Sequence, residues 1–401
     1  MSYYSNAPGR RSAFGGQRRS YHGVPKSSGG GRRHGQYIDP ARFVREAKPS
    51  IVTDYVAKHQ FSDFAVADLL QKNLTGKGYV TPSPIQDQTI PLALAGRDVI
   101  GVANTGTGKT AAFAIPVLDK LINDHQARAL IIAPTRELAQ QIEAECKEIA
   151  RGSGIRGVVL IGGTGMGAQL RDLRGNPRIV IGTPGRIKDH IERGTLRLNG
   201  FSLLVLDEVD RMLDMGFLPD VTSILSQVSP TRQSFFFSAT LDGKVQDLIG
   251  TFAHDPAVVT VKTGDTSESV HQNVVRYQTK DQKLDMLHKI LTDESVEKTI
   301  VFDDTQRSVE RLSNELIARG FKADAIHGGK SQGQRQRALD KFKRSEIKIL
   351  VATDVAARGI DVVDITHVIN FSTPQSYEDY VHRIGRAGRA GRTGYALTFV
   401  S

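Results

Sequence analysis

Residues 103–110 read Ala-Asn-Thr-Gly-Thr-Gly-Lys-Thr, and they follow a short apolar stretch, residues 98–103, that has the character of a β-strand. A helical pattern over residues 109–121 comes directly after them. A strand, a glycine-rich loop and a helix in this order are typical of a phosphate-binding loop, since glycine lets backbone N–H groups approach the phosphates. We therefore expect the Lys109 ammonium to reach the β- and γ-phosphates of a nucleotide and the Thr110 hydroxyl to serve Mg²⁺.

Short apolar segments alternate with helical patterns around this loop. Continuous apolar strands separated by helices predict a parallel sheet with helices on both faces. The run at residues 235–237, three phenylalanines, is interpreted as part of a buried strand and not as a base-stacking surface. Strands are expected at residues 98–103, 129–133, 158–161, 178–182, 203–206 and 234–237, with helices such as 109–121 and 137–150 between them.

A polar stretch at residues 261–271 interrupts this alternation, which then resumes. We predict an α/β protein with two tandem domains at residues 46–262 and 272–401, joined by a linker at 263–271. Ligands of such open sheets bind beyond the carboxyl ends of the strands. In the second domain, strands are expected at 299–302, 347–352, 367–371 and 395–400, and helices at 306–319, 331–343 and 377–384.

The beginning of the chain has a different composition. Residues 1–36 contain seven Arg or Lys and no acid, against a net charge of +10 for the whole chain. Because a Gly-, Ser- and Arg-rich segment cannot bury enough apolar surface to offset its ordering entropy, we predict that residues 1–45 are disordered. Their charge favours a polyanion such as RNA as partner, although a flexible spacer remains an alternative.

Several classes of protein are disfavoured by the sequence. We find no apolar run near the roughly 18 residues that span a membrane, and no apolar leader at the N-terminus. Cys146 is the single cysteine, so an intramolecular disulfide is excluded. Its acidic surroundings favour a raised thiol pKa, which makes it an incidental cysteine. A cytoplasmic protein is expected.

An acidic run, Asp207-Glu208-Val209-Asp210, follows the apolar segment at residues 203–206. Asp207 is expected to hold Mg²⁺, directly or through water, and Glu208 to position or deprotonate an attacking water. An acidic helix N-terminus is the alternative. The presence of Lys109 upstream favours the catalytic interpretation.

A weaker signal for adenine precedes the glycine-rich loop. Gln86 has an amide that can hydrogen-bond both N6 and N7 of adenine, and Phe61 lies 25 residues before it and can stack on the ring. An isolated phenylalanine is more often a core residue, so both interpretations of Phe61 stay open.

The order and spacing of these motifs resemble those of a DEAD-box RNA helicase of superfamily two, bacterial in type, over about residues 61–401. The resemblance implies two RecA-like domains, ATP and Mg²⁺ as cofactors, and single-stranded or short duplex RNA as partner. The implied catalytic residues are Lys109, Asp207, Glu208, Arg386 and Arg389, with Thr110 and Asp207 at the metal. The implied nucleotide set is Phe61, Tyr79, Gln86, Thr105, Gly106, Thr107, Gly108, Lys109, Thr110 and Asp361.

The same resemblance implies an RNA-binding set and a set that couples the domains. Arg386 and Arg389 are one helical turn apart, so both are expected to face the cleft. The RNA set is Pro134, Thr135, Arg136, Gly162, Gly163, Thr183, Gly185, Arg186, Gln332, Arg335 and Thr353. The coupling set is Asp210, Ser238, Thr240, Arg358 and His382.

Three positions depart from the usual pattern. Ala103 occupies the first glycine position of the phosphate loop, Val209 replaces the alanine of the family name, and Ala387 replaces a common threonine. None removes a charge that the chemistry needs, so we expect activity. The alternatives are an ATP-dependent RNA clamp within a larger assembly and a DNA-directed motor. A monomeric core is expected, with ribosomal or RNA-decay complexes as candidate partners.

Overall fold

The computed structural model describes residues 38–47, 55–104, 106–261, 269–357, 360, 362, 364–388 and 392–401. The first domain contains a seven-stranded parallel sheet. Its strands are β1 (Val99–Val102), β2 (Ala129–Ile132), β3 (Gly157–Leu160), β4 (Ile179–Gly182), β5 (Leu203–Leu206), β6 (Gln233–Ser238) and β7 (Ala257–Thr260). Its helices are α1 (Asp68–Gly76), α2 (Pro84–Leu94), α3 (Lys109–Asn123), α4 (Arg136–Ile149), α5 (Met166–Arg174), α6 (Pro184–Glu192), α7 (Val209–Asp214), α8 (Leu218–Leu225) and α9 (Gly243–Phe252).

The strand order β3-β4-β2-β5-β6-β1-β7 determines which loops are neighbours. Because β5, β6 and β1 are adjacent and parallel, the loops that follow them lie side by side at the carboxyl edge of the sheet. The loops after β3, β4 and β2 form a second group at the same edge. The nucleotide motifs belong to the first group and most of the predicted RNA motifs to the second.

Both faces of this sheet are buried, as the continuous apolar strands predict. Phe235 and Phe237 pack into the core on one face with Phe113, whereas Phe236 packs into the core on the other face. All three rings of β6 are at most 1% exposed. The interpretation of this run as a buried strand is therefore confirmed.

The second domain has a six-stranded parallel sheet in the order β10-β11-β9-β12-β13-β8. Its strands are β8 (Val270–Arg276), β9 (Thr299–Phe302), β10 (Ala323–Ile326), β11 (Ile349–Ala352), β12 (His367–Asn370) and β13 (Gly394–Val400). Its helices are α10 (Lys280–Leu291), α11 (Gln306–Ala318), α12 (Gln332–Lys343), α13 (Asp354–Ala357) and α14 (Tyr377–Ile384). The predicted fold class, two α/β domains with helices on both faces of parallel sheets, is confirmed.

Residues 38–47, which we call the strap, differ from expectation. The sequence assigns residues up to 45 to a disordered tail, but Pro40–Phe43 form a 3₁₀ turn. Phe43 and Ile38 are buried in the core of the second domain, with Tyr380 among their neighbours. Ile38 and Phe43 bury enough apolar surface to order this segment, although the composition of residues 1–45 predicts disorder. The prediction of disorder for residues 1–37 falls outside the described part of the chain.

The structure also corrects the carboxyl-terminal boundary of the linker predicted at residues 263–271. Residues 262–268 are outside the described range, but residues 270 and 271 already belong to β8. Among the residues described, no helix is long and apolar enough to cross a membrane.

Candidate nucleotide and RNA sites

The phosphate loop lies between β1 and α3, as predicted. Gly106 and Gly108 have φ values of 86° and 91°, which L side chains rarely adopt. A Cβ atom at Gly108 would also overlap the Gln86 amide. Lys109, at the first turn of α3, is 6% exposed and its Nζ donates to the Ala103 carbonyl at 2.9 Å. Thr110 follows it on the helix, and Thr105 is outside the described residues.

Gln86 is fixed directly beneath this loop. Its Oε1 accepts from the Ser83 backbone at 2.9 Å, and its Nε2 donates to the Gly108 carbonyl at 3.0 Å. The Ser83 hydroxyl donates to the Thr107 carbonyl at 2.7 Å. The amide that was predicted to face adenine thus also braces the phosphate loop.

The aromatic residues next to Gln86 form a packed group. Phe61 is 2% exposed, and its ring meets Phe64 and Tyr79 edge-on at centroid distances of 5.6 and 4.9 Å. The Tyr79 hydroxyl donates to Glu145 at 2.8 Å. Burial, followed by this hydrogen bond, raises the pKa of Tyr79. Phe61 therefore has a core role in this structure, and its contact with adenine stays a prediction.

Asp87, which the sequence did not single out, anchors the segment before this group. Its carboxylate accepts from the Tyr55 hydroxyl at 2.5 Å and from the Lys58 backbone at 2.8 Å, and it lies 2.7 Å from His59 Nδ1. Burial would raise the pKa of Asp87, but these hydrogen bonds outweigh it and lower the pKa. In the sequence Asp87 is a single acidic residue after Gln86, with no local pattern that predicts its bonds to residues 55–59.

The acidic run follows β5 and lies beside the loop. Asp207 is 2% exposed, and burial raises its pKa to about 7, while the neighbouring Lys109 opposes the rise. Glu208 caps α7 with φ at 53°, a strained value for a residue with a side chain. Carboxylate and hydroxyl oxygens are ligands that Mg²⁺ prefers, and a cation would relieve the cost of burying Asp207. The residues present therefore fit a magnesium ion.

Asp210 connects the acidic run to the turn after β6. Its Oδ2 accepts from the backbones of Ala239 and Thr240 at 2.9 and 3.0 Å, and from the Thr240 hydroxyl at 3.4 Å. The Asp210 backbone donates to Ser238 Oγ at 3.3 Å. Three predicted coupling residues are thus in contact, whereas Arg358 of that set is outside the described residues.

Most of the predicted RNA residues lie together after β2, β3 and β4. Thr135 caps α4, because its hydroxyl accepts from the Leu138 backbone at 3.2 Å. The Arg136 guanidinium lies over Gly162 and Gly163, where a Cβ on Gly163 would overlap it. Pro134 precedes this pair of residues in the same loop, and Thr183, Gly185 and Arg186 begin α6.

A buried polar network behind this group was not predicted. Gln169 donates to the Ile161 carbonyl at 3.1 Å and to the Thr164 hydroxyl at 2.6 Å. His190 is fully buried, with Nε2 at 3.3 Å from Gln169 Oε1 and Nδ1 at 2.9 Å from Thr195. Burial, and then the charge of Arg186, lower the pKa of His190. The network ties α6 to the loop that contains Gly162 and Gly163.

The remaining RNA residues belong to the second domain, and two of them contact the first. Arg335 Nη2 lies 2.8 Å from Glu137 Oε1, and Gln332 donates to Gln140 at 2.8 Å. Glu137 and Arg335 are 2% and 7% exposed, so the ion pair is largely shielded from water. Thr353 follows β11 and is nearly buried.

Arg383, missed by the sequence analysis, is the centre of a buried network in the second domain. Its guanidinium binds both carboxylate oxygens of Asp354 at 2.6 and 2.7 Å. It also donates to Asn370 and to the Ser372 carbonyl at 3.3 and 2.8 Å. Its partners Asp354 and Asn370 lie 29 and 13 residues away in the sequence, so no local pattern gave a reason to select it.

Arg386 lies beyond the end of α14, which ends at Ile384. The helical spacing assumed for Arg386 and Arg389 therefore does not apply at Arg386, because the chain turns before it, and that both arginines face the cleft stays a prediction. Arg386 is 3% exposed and donates to the Ile360 carbonyl at 2.9 Å. Arg389 and Asp361 are outside the described residues.

Charged groups at the start of α14 interact electrostatically with charged groups of α7 in the first domain. Burial, and then the negative charge of Asp214, raise the pKa of Glu378, while Arg211 opposes the rise. His382 is further along the same helix. The helix that precedes Arg386 is therefore within electrostatic range of the helix that follows Glu208.

Comparison of the sequence with models of known protein families agrees with this geometry. The DEAD/DEAH box helicase model matches residues 83–248, and the helicase conserved C-terminal domain model matches residues 282–391. The chain belongs to the DEAD/DEAH box helicase family. Among this family's proteins, the ATP-dependent RNA helicase CshA of Listeria monocytogenes is 45% identical over 85% of this chain and 66% of its own length. The DEAD-box ATP-dependent RNA helicase CshA of Bacillus subtilis is 46% identical over 85% of this chain and 69% of its own length.

Solved structures of two RNA-bound proteins share the fold. Mss116p bound to single-stranded RNA and AMP-PNP superimposes with a TM-score of 0.75 at 32% identity, over 85% of this chain and 73% of that chain. Dbp5 of S. cerevisiae bound to RNA and ADP BeF3 gives a TM-score of 0.74 at 28% identity, over 85% and 89%. The chain spans about two thirds of the length of the CshA relatives.

The positions that depart from the family pattern are buried. Val209 and Ala387 are fully buried, and Val209 packs in the core with Met212. A Cβ built on Gly394 would lie 2.7 Å from the Ala387 Cβ. Glycine at 394 therefore leaves room for the Ala387 methyl group.

Proposed function

We propose that this chain is an ATP-dependent RNA helicase whose ATP hydrolysis is stimulated by RNA and drives local separation of short duplexes. The observation that carries the proposal is the adjacency of the phosphate loop, the Asp207–Glu208 pair and the turn bound to Asp210, at one edge of the first sheet. The family membership and the RNA- and nucleotide-bound relatives support it.

The proposed nucleotide site is built from residues with separate tasks. Lys109, whose ammonium binds a backbone carbonyl at 2.9 Å, exchanges that carbonyl for the β- and γ-phosphates when ATP binds. Thr110 and Asp207 would hold Mg²⁺, which would neutralise phosphate charge. Glu208 accepts a proton from the attacking water, and its fixed backbone keeps the carboxylate at the edge of the site.

The second domain completes the site in this proposal. Arg386, and Arg389 by family resemblance, stabilise the charge of the transition state, a contribution worth about 10³–10⁵ in rate for such arginines. ATP and RNA both contact the two domains, so each favours the closed arrangement that the other needs. The RNA set presents mainly phosphate- and sugar-binding groups, which position a strand without reading its sequence.

ATP turnover with RNA, with DNA and without nucleic acid tests the proposal. We expect stimulation by RNA and little by DNA. Equal stimulation by DNA would favour a DNA-directed motor, and ATP-dependent RNA binding without turnover would favour the clamp.

Two variants test the residue assignments. Lys109→Ala should abolish turnover, whereas Lys120→Ala, an exposed lysine on the same helix, should behave as wild type. Glu208→Gln should still bind ATP and RNA but release RNA slowly, because binding needs no proton acceptor and hydrolysis does. Normal turnover by Lys109→Ala, or fast RNA release by Glu208→Gln, would refute the respective role.

A further inference from the structure

The strap, residues 38–47, covers one side of α14. The Phe43 ring is fully buried, with its centroid 4.6 Å from that of Tyr380. The Arg42 guanidinium lies 3.9 Å above the Tyr377 ring, a cation–π contact. Both tyrosines belong to α14, so two consecutive strap residues contact the same helix.

The strap is also bound to the edge of the second sheet. Arg45 pairs with Gln272 of β8 through two backbone hydrogen bonds of 2.9 and 2.7 Å. The Gln272 side chain then accepts from the Tyr380 hydroxyl at 2.9 Å. The backbone of the strap, the edge strand and α14 are therefore joined in one continuous set of contacts.

Arg383 holds the turn of α14 that follows Tyr380. This side chain spans from the helix to Asp354 and to the end of β12, so consecutive turns of the helix are fixed by the strap and by the sheet. Arg386 follows the helix within two residues. A displacement of α14 would therefore move the Arg386 guanidinium.

We infer that the strap is a positioning element for Arg386, acting through Tyr377 and Tyr380 of α14. The strap contributes no atom to the nucleotide site. It limits the orientations of the helix that precedes Arg386, so that less conformational entropy is lost when the domains close on ATP and RNA. This inference rests on the proposed function for its kinetic consequence, but not for its structural one.

Substitutions in the full-length chain separate positioning from general packing. Phe43→Ala removes the ring contact, and Arg42→Ala removes only the exposed cation–π contact, with little risk to folding. Arg42→Lys keeps a cation over Tyr377 and should restore wild-type behaviour. Leu287→Ala makes a cavity in the core on the other face of the same sheet and is the matched control for lost packing.

Two measurements are made on each variant. The first is kcat for RNA-stimulated ATP turnover alongside the affinity for a fluorescent ADP. We expect Phe43→Ala to lower kcat about three- to tenfold and Arg42→Ala about twofold, small parts of the about 10³–10⁵-fold that a transition-state arginine contributes. The affinity for ADP should change little, because all members of the predicted nucleotide set except Asp361 belong to the first domain. The second measurement is amide exchange over residues 377–386, which should become faster in both variants.

The outcomes are distinct. Unchanged kcat in both strap variants would overturn the inference, and so would a loss of kcat in Leu287→Ala as large as that in Phe43→Ala. If the wild-type chain shows no turnover with RNA, the proposed function fails by itself, and the exchange measurement still decides whether the strap holds α14. Wild-type exchange rates in the strap variants would then overturn the inference.

Discussion

Replacing Asp210 with asparagine tests how strongly the acidic run is joined to the turn at residues 238–240. The carboxylate accepts from the Arg211 backbone through Oδ1 at 2.9 Å. It accepts from the Ala239 and Thr240 backbones through Oδ2 at 2.9 and 3.0 Å. Asparagine has one carbonyl oxygen, so either rotamer turns its NH₂ group towards at least one backbone donor.

The expected cost follows from these contacts. If the amide oxygen faces residues 239 and 240, the Arg211 N–H loses its partner, and an unsatisfied buried donor costs about 1–3 kcal/mol. The two retained bonds lose their charge, which weakens each by about 1 kcal/mol. We therefore expect Asp210→Asn to lower the free energy of unfolding of the first domain by about 3–5 kcal/mol.

Two variants that remove weaker hydrogen bonds give smaller expected losses for comparison with Asp210→Asn. Ser238→Ala removes one acceptor at 3.3 Å and should cost about 1 kcal/mol. Thr240→Val removes only the long, partly buried bond of 3.4 Å and should stay within about 0.5 kcal/mol of wild type.

Urea unfolding followed by circular dichroism measures the series, with the first transition fitted separately because a two-domain chain need not unfold in one step. If Thr240→Val costs as much as Asp210→Asn, or if Asp210→Asn matches wild type, the hydrogen bonds do not hold the turn and the reasoning is refuted.

Three further changes have defined outcomes. Gly163→Ala should weaken RNA binding about tenfold in fluorescence anisotropy, since its φ of 77° and the nearby Arg136 guanidinium oppose a side chain. Gly250→Ala, where the added methyl meets open space, should bind RNA normally, and equal affinities of the two variants would contradict the role of Gly163. Arg383→Gln should lower the free energy of unfolding of the second domain by about 2–4 kcal/mol, because it removes the charge-assisted hydrogen bonds from a buried guanidinium to the partly exposed Asp354, and a loss below about 1 kcal/mol would make that network dispensable. Burial lowers the pKa of His190, so below about pH 6.5 the unfolded chain takes up a proton that the folded chain lacks, and stability falls as the pH drops through that value. His190→Gln should flatten this dependence of stability on pH between about pH 7 and 5.5, and an unchanged slope would exclude His190 as its source.

The central strands were predictable because they are apolar on both faces. The segments at residues 203–206 and 299–302 have the predicted bounds, since each lies inside a sheet with neighbours on both sides. The edge strand β8 was not recognised, because its Gln272 and Asn273 resemble a loop. Its pairing partners are more than 100 residues away in the sequence, and no local pattern identifies them.

The candidate site was predictable wherever a motif is local. Gly108, Lys109 and Asp207 lie where the loop and strand patterns placed them. The supporting residues were not found, because a buried polar side chain is selected by its partners and not by its type. Arg383 and His190 became recognisable only when the fold brought Asp354 and Gln169 next to them.

The contact between Phe43 and Tyr380 also has a consequence for how the protein is made. Phe43 is synthesised roughly 330 residues before Tyr380, an interval of about 15–70 s at 5–20 residues per second. The whole first domain emerges from the ribosome in that time, while Ile38 and Phe43 have no core to enter. The last step of folding must therefore bring the beginning of the chain to its end, a long-range closure of the kind that slows folding and leaves apolar side chains exposed to chaperones until the final helix is complete.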